Sequence, residues 1–204
     1  MKADFKKTLD GYHARHGEFR FVDIPATRYL MVDGHGDPNT APEYADGLAA
    51  LYPVAYAMKF ASKNGLDRDY VVPPLEGLWW GADMTTFTSA RDKSQWDWTM
   101  MLMVPEWIET TMVMDAITKV AAKSPPSALE KVRLETLSEA TCVQTLHVGT
   151  YDDEAAVLAE LHERVIPEAG FRMTGKHHEV YLSDPRRVEP SRLRTILRQP
   201  VRPA

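Results

Sequence analysis

The sequence predicts an α+β fold built from two related halves. Three observations carry this reading. Short apolar runs with period two alternate with three longer segments of helical period. The order strand, strand, helix, strand, strand is said twice along the chain. A faint repeat supports it: Ala26-Thr27-Arg28-Tyr29-Leu30 and Ala140-Thr141-Cys142-Val143-Gln144 each precede a glycine-containing turn, an acidic patch and a helix. Two copies packed side by side would form a cleft between them.

The elements follow in order. The charged segment to Gly17 reads as a short helix or arm. Phe19 and Phe21 alternate with polar neighbours up to Pro25, which predicts a strand, and Thr27 to Asp33 predicts a second. Gly34-His35-Gly36-Asp37-Pro38-Asn39 is a turn, without the spacing of a dinucleotide loop. Thr40-Ala41-Pro42-Glu43 has the form of a capping box, opening a helix marked by Tyr44, Leu48, Leu51, Tyr52 and Ala55. Pro53 predicts a kink, and Asn64-Gly65 ends the helix.

Strands are expected at Leu75 to Trp80 and Gln95 to Val104, and a second helix carries Met112, Ala116, Ile117 and Val120. The Ser124-Pro125-Pro126-Ser127 break marks the junction of the halves. Strands at Val132 to Leu137 and Thr141 to Val148, a helix from about Asp153 to Ile166, and a final strand from His177 to Leu182 complete the chain. The expectation is one domain over residues 1–204, with halves at about 18–104 and 127–200.

Composition narrows the function. The 204 residues carry a net charge of −5, which gives no general attraction to nucleic acid. The arginines at 186, 187, 192, 194, 198 and 202 read as a solvated, salt-bridged surface. The first residues are too charged for a secretory signal, and no apolar run approaches the about 20 residues that span a bilayer. The single Cys142 forms no internal disulfide. A cytoplasmic location is the expectation.

Chemistry concentrates in two segments. On a strand at His177-His178-Glu179-Val180-Tyr181-Leu182, His177, Glu179 and Tyr181 share one face and His178 the other. The two imidazoles therefore diverge, which argues against a metal site, and the spacing fits no common zinc pattern. A strand carboxylate beside a tyrosine reads either as half of a salt bridge, to Arg186 or Arg187, or as the acid on a pocket floor. In Pro74-Leu75-Glu76-Gly77-Leu78-Trp79-Trp80, Glu76 shares a face with Trp80, and Trp79 points the other way. Aromatic walls with a carboxylate suit flat, cationic or polarised molecules. Trp98, and Tyr52 and Tyr56 on the first long helix, are further candidates for the wall, although tryptophans and tyrosines at such positions also serve cores.

Together with Tyr29 to Asn39 and Trp98-Thr99-Met100-Met101, these motifs resemble the GyrI-like small-molecule-binding family over nearly the whole chain. The resemblance implies two strand-helix-strand-strand modules related by pseudo-twofold symmetry, an antiparallel sheet with its helices on one face, and a ligand between the halves. It implies Glu179 as the central acid, with Tyr181 beside it as the second catalytic candidate. Glu76, Trp80, Trp98, Tyr56, Trp79 and Tyr52 are the candidate ligand contacts. No metal and no organic cofactor are called for. The chain is similar to stand-alone members, some of which hydrolyse the cyclopropane ring of DNA-alkylating natural products of the yatakemycin and duocarmycin type. A non-catalytic sensor or sequestering protein and a protein-interaction module are the competing readings.

Overall fold

In the computed structural model, residues 2–81, 92–123 and 125–204 are described; Met1 and Ser124, the first residue of the expected junction, lie outside them. Nine strands among these residues form one antiparallel sheet: β1 (Arg20–Ile24), β2 (Thr27–His35), β3 (Leu75–Trp80), β4 (Asp97–Met103), β5 (Arg133–Leu137), β6 (Ala140–Val148), β7 (Phe171–Met173), β8 (His177–Tyr181) and β9 (Arg194–Pro203). Their order across the sheet is β1-β6-β9-β8-β3-β4-β2-β5, with β7 on the free stretch of β9.

That order reads the same from either end once β1 is equated with β5, β2 with β6, β3 with β8 and β4 with β9. The halves meet at the β3·β8 ladder, whose central pair is Gly77 opposite Glu179. The outermost strands are exchanged: β1 pairs with β6 of the second half, and β5 with β2 of the first.

Four helical segments follow a one-turn α1 (Phe5–Thr8): α2 (Pro42–Gly65), α3 (Thr110–Ala121), α4 (Ala155–Ala159) and α5 (Ile166–Glu168). A π-helical stretch, Glu160–Val165, joins the last two into one rod. Strand register places both α2 and the α4–α5 rod on the same face of the sheet. Leu30, Val32, Trp98, Met100 and Leu102 bury α2 through Leu51, Val54 and Met58. Val143 and Val201 meet Leu161 and Ile166 of the rod. Burying these side chains from water stabilises each contact by about 1.5–3 kcal/mol per residue.

Several local expectations need correction. The capping box does not form: Ala41 is the N-cap, and no side chain caps the helix. The chain instead enters from a turn in which the Thr40 and Ala41 amides both donate to the Asp37 carbonyl, at 3.0 and 2.7 Å. Pro42 then starts the helix, where a missing N–H costs nothing. The end of the helix, by contrast, is as expected: it runs through Pro53 and stops at Gly65.

The expected final strand is not the last. β9 lies beyond it, and it is a central strand buried from Thr195 to Val201. The arginine-rich tail is thus not uniformly a solvated surface. Arg198 is fully buried because its guanidinium donates to Gln144 Oε1 at 3.0 Å and to the Gly11 carbonyl, and faces Glu139 at 3.5 Å.

Candidate functional site

Between α2 and the α4–α5 rod the sheet is uncovered, and a cavity of about 1180 Å³ opens over the middle of the β3·β8 ladder. The backbone dictates its floor. Residues paired across two strands share a face, so Gly77 brings Glu179 with it, Trp79 brings His177, and Leu75 brings Tyr181. All of these except Gly77 itself line the cavity.

Gly77 leaves a gap in this floor. A methyl group there would sit 2.8 Å from Trp79 Nε1 and 3.1 Å from the Tyr181 hydroxyl. In that gap the Trp79 indole donates to the Tyr181 hydroxyl at 2.9 Å. The Glu179 carboxylate lies close to the Tyr181 hydroxyl on the same face of the strand. Burial first, and then the negative charge of Glu179, push the Tyr181 hydroxyl well above its usual titration range. It is held protonated, as a donor.

The walls are aromatic. Tyr44, Tyr52 and Tyr56 come from α2, Trp96 from the approach to β4, and Tyr151 from the turn before α4. Tyr151 stands edge-on to Tyr181, with ring centres 5.8 Å apart, and Trp96 stands edge-on to Trp79 at 5.7 Å. Burial and the nearby Glu179 and Glu154 push Tyr151 up to about 12. Tyr44 is shifted upward for similar reasons, burial foremost. The mouth is mixed in charge: Asp4, Lys6, Asp184, Arg186 and Arg187 edge it. Arg186 and Arg187 pair with Asp184, at 2.9 and 3.6 Å, and not with Glu179.

Of the residues singled out from sequence, the fold brings Glu179, Tyr181, Trp79, Tyr52 and Tyr56 to this cavity and places three elsewhere. Glu76 and Trp80 do share a face, but it is the reverse face of the sheet, because Glu76 pairs with Val180 and not with Glu179. They therefore form no second wall, and Glu76 is not the twofold counterpart of Glu179. Trp80 packs under Lys176, whose Nζ lies 3.1 Å from the ring centre. Trp98 faces the cavity side but is sealed beneath α2, edge-on to Tyr44 and pressed against Gly34.

Glu76 instead belongs to a buried ionic cluster. It accepts from the Tyr12 hydroxyl at 2.6 Å and from His178 Nε2 at 2.9 Å; His178 Nδ1 donates to Glu139, also at 2.9 Å. An imidazole that donates from both nitrogens is an imidazolium. Burial opposes that charge, yet Glu139 and the two hydrogen bonds outweigh it, and the His178 pKa is raised.

Trp96, which the sequence offers with Trp80 and Trp98 as a tryptophan beyond core needs, does line the cavity, whereas Tyr44, Tyr151 and His177 were not singled out for the site by sequence reasoning. For His177 the missing signal is the β3·β8 register, which joins segments about one hundred residues apart; for Tyr44 and Tyr151 it is the packing of α2 and of the turn before α4 over that ladder, and no local pattern encodes either. Among the described residues no group of three or more His, Cys, Asp or Glu is placed to hold a metal ion, and no helix is long and apolar enough to cross a membrane.

The profile of the GyrI-like small molecule binding domain matches residues 17–202. The chain belongs to this family. A conserved protein of uncharacterised function from Listeria innocua is 37% identical, with 98% of this chain and 100% of that one aligned and a TM-score of 0.89. A structure described as a hydrolase from Listeria innocua is also 37% identical over 98% and 100% of the two chains, with a TM-score of 0.84. A further one described as a hydrolase from the same organism is 36% identical over 99% and 100%, with a TM-score of 0.85. No curated protein matches the sequence. This GyrI-like chain thus pairs a small-molecule-binding fold with an aromatic cavity whose floor carries the Glu179 carboxylate.

Proposed function

We propose that this cavity binds flat organic molecules, cationic or bearing a polarised carbonyl, and hydrolyses the cyclopropane ring of DNA-alkylating compounds, with detoxification as the cellular role. The observation that carries the reading is the floor: Glu179, Tyr181 and Trp79 gathered around bare Gly77 beneath tyrosine walls. Two relatives at 36–37% identity described as hydrolases support the catalytic half of it.

The chemistry asked of the site is the addition of water to a strained ring conjugated to a carbonyl. Water oxygen bonds to the ring methylene, the carbon–carbon bond opens, and its electron pair moves into the conjugated carbonyl. Glu179 accepts the proton that water loses, a hydrogen bond from Tyr181 stabilises the oxyanion until solvent water protonates it, and Glu179 returns its proton to the hydroxide so formed. A positioned base and an oriented donor each contribute about 10²-fold or more. The aromatic walls hold the flat ligand by stacking. No metal or organic cofactor is required by this scheme.

The test is incubation with a cyclopropane-containing alkylator and detection of the water adduct by mass spectrometry. Glu179→Gln is expected to lower turnover by about 10²-fold, and Tyr181→Phe by a similar factor. Stoichiometric capture of the compound without turnover would instead make the chain a sequestering protein. Unchanged affinity and unchanged turnover in Glu179→Gln would remove that residue from the site.

A further inference from the structure

His177 lies on the cavity floor, and the scheme above leaves it without a task. β8 sets it two residues from Glu179 on the same face, opposite Trp79 in the ladder. Its side chain is 5% exposed, and its Nε2 stands 3.4 Å from Glu179 Oε1. That is ion-pair distance, but neither ring nitrogen is aligned for a hydrogen bond with any described residue. A buried imidazole with both nitrogens unsatisfied is costly unless something arrives to use them.

The surroundings bear on its charge. From the π-helical stretch, His162 meets it edge-on, ring centres 6.1 Å apart. Burial, and then His177 itself, hold His162 down to about 4, so that ring is neutral near pH 7. Tyr181 on β8, Tyr44 on α2 and Tyr151 before α4 are kept protonated and uncharged. Glu154, from the same turn as Tyr151, and Lys93 also line the cavity, as do the charged residues of its mouth. Glu179 is the acid at ion-pair distance from the imidazole.

We propose that His177 is the specificity-determining partner of Glu179: its protonation decides whether the cavity floor presents a carboxylate charge or a neutralised pair. With a neutral imidazole the floor is anionic and selects cations. With an imidazolium 3.4 Å away the carboxylate is compensated, and uncharged flat molecules are favoured. The preferred ligand of the cavity therefore follows the protonation state of this one imidazole. This rests on the proposed function of the cavity as a site for flat, cationic molecules, and it adds that Glu179 on the floor is their counter-charge.

Two probes test it: ethidium, a flat dye of fixed positive charge, and N-phenyl-1-naphthylamine, a neutral one, each titrated by fluorescence at pH 5.5 and pH 8. The wild-type protein is expected to bind ethidium about tenfold more weakly at pH 5.5 and the neutral dye no more weakly. His177→Gln should bind ethidium equally at both pH values, near the wild-type affinity at pH 8. Glu179→Gln should bind it weakly at both. Retained affinity for the neutral dye reports that each variant keeps its cavity. A wild-type ethidium affinity that does not change with pH, or a His177→Gln variant that keeps the wild-type pH dependence, overturns the proposal. Binding of the neutral dye with no ethidium binding at either pH would overturn it too, by removing Glu179 as a counter-charge while leaving the cavity in place.

Discussion

A methyl group at Gly77 would crowd Met100 Sδ at 3.3 Å and press more closely on the Trp79 indole nitrogen and the Tyr181 hydroxyl. The last two are the atoms that bond to each other over Gly77. Gly77→Ala is therefore expected to break that bond before it breaks the fold. The stability cost should be about 1–3 kcal/mol, the usual range for overpacking, while affinity for a flat ligand falls at least about tenfold. Thermal unfolding and dye binding measured on the same variant separate the two effects. A loss of stability with undiminished affinity would show that the Trp79–Tyr181 pair does not shape the floor. At this scale the sequence was legible in part. Strand parity correctly joined Glu179 to Tyr181 and Glu76 to Trp80. It could not say which face is which, because parity fixes faces within a strand but not between strands.

Among the elements, β9 is the least legible and bears most on stability. Its arginines read as surface, yet Arg198 is buried because the N-terminal arm, β6 and the β5–β6 turn supply Gly11, Gln144 and Glu139 to receive it. None of these partners is near it in sequence. The same cluster sets a pH dependence. The folded-state pKa of His178 is raised, so its contribution to stability is complete below the unfolded value near 6.5 and is lost as pH rises through the folded value. Glu139 is the reverse case. Burial works to raise it, but the charges of His178 and Arg198 bring it below the usual carboxylate range. Its contribution holds above about 4.5 and is lost as pH falls through the folded value. Urea midpoints should accordingly peak between about pH 4.5 and 6.5. His178→Gln should be destabilised by about 3–5 kcal/mol, since buried Glu76 loses its cation and Glu139 keeps only Arg198, and should lack the alkaline decline. A variant with the wild-type alkaline limb would assign that limb to other groups.

Seen whole, the two halves are legible as a repeat, but their exchange of edge strands is not. β1 pairs with β6 of the other half and β5 with β2. Fragments cut near residue 126 would each keep a strand whose partner is on the other piece. Neither fragment is expected to show native circular dichroism alone, and mixing the two should restore it; independent folding of either would make the exchange incidental. The approximate twofold axis passes through the central pair of the β3·β8 ladder, which it would make identical. Here one partner is Glu179 and the other is Gly77. Two carboxylates facing each other there, with Cβ atoms about 5 Å apart, would share a proton and lose half their charge. A fully symmetric cavity would also accept any ligand in two orientations of equal energy. A single acid on the axis removes that degeneracy, so an unsymmetrical guest has one preferred heading, and the reactive end of every bound molecule meets the same side chain.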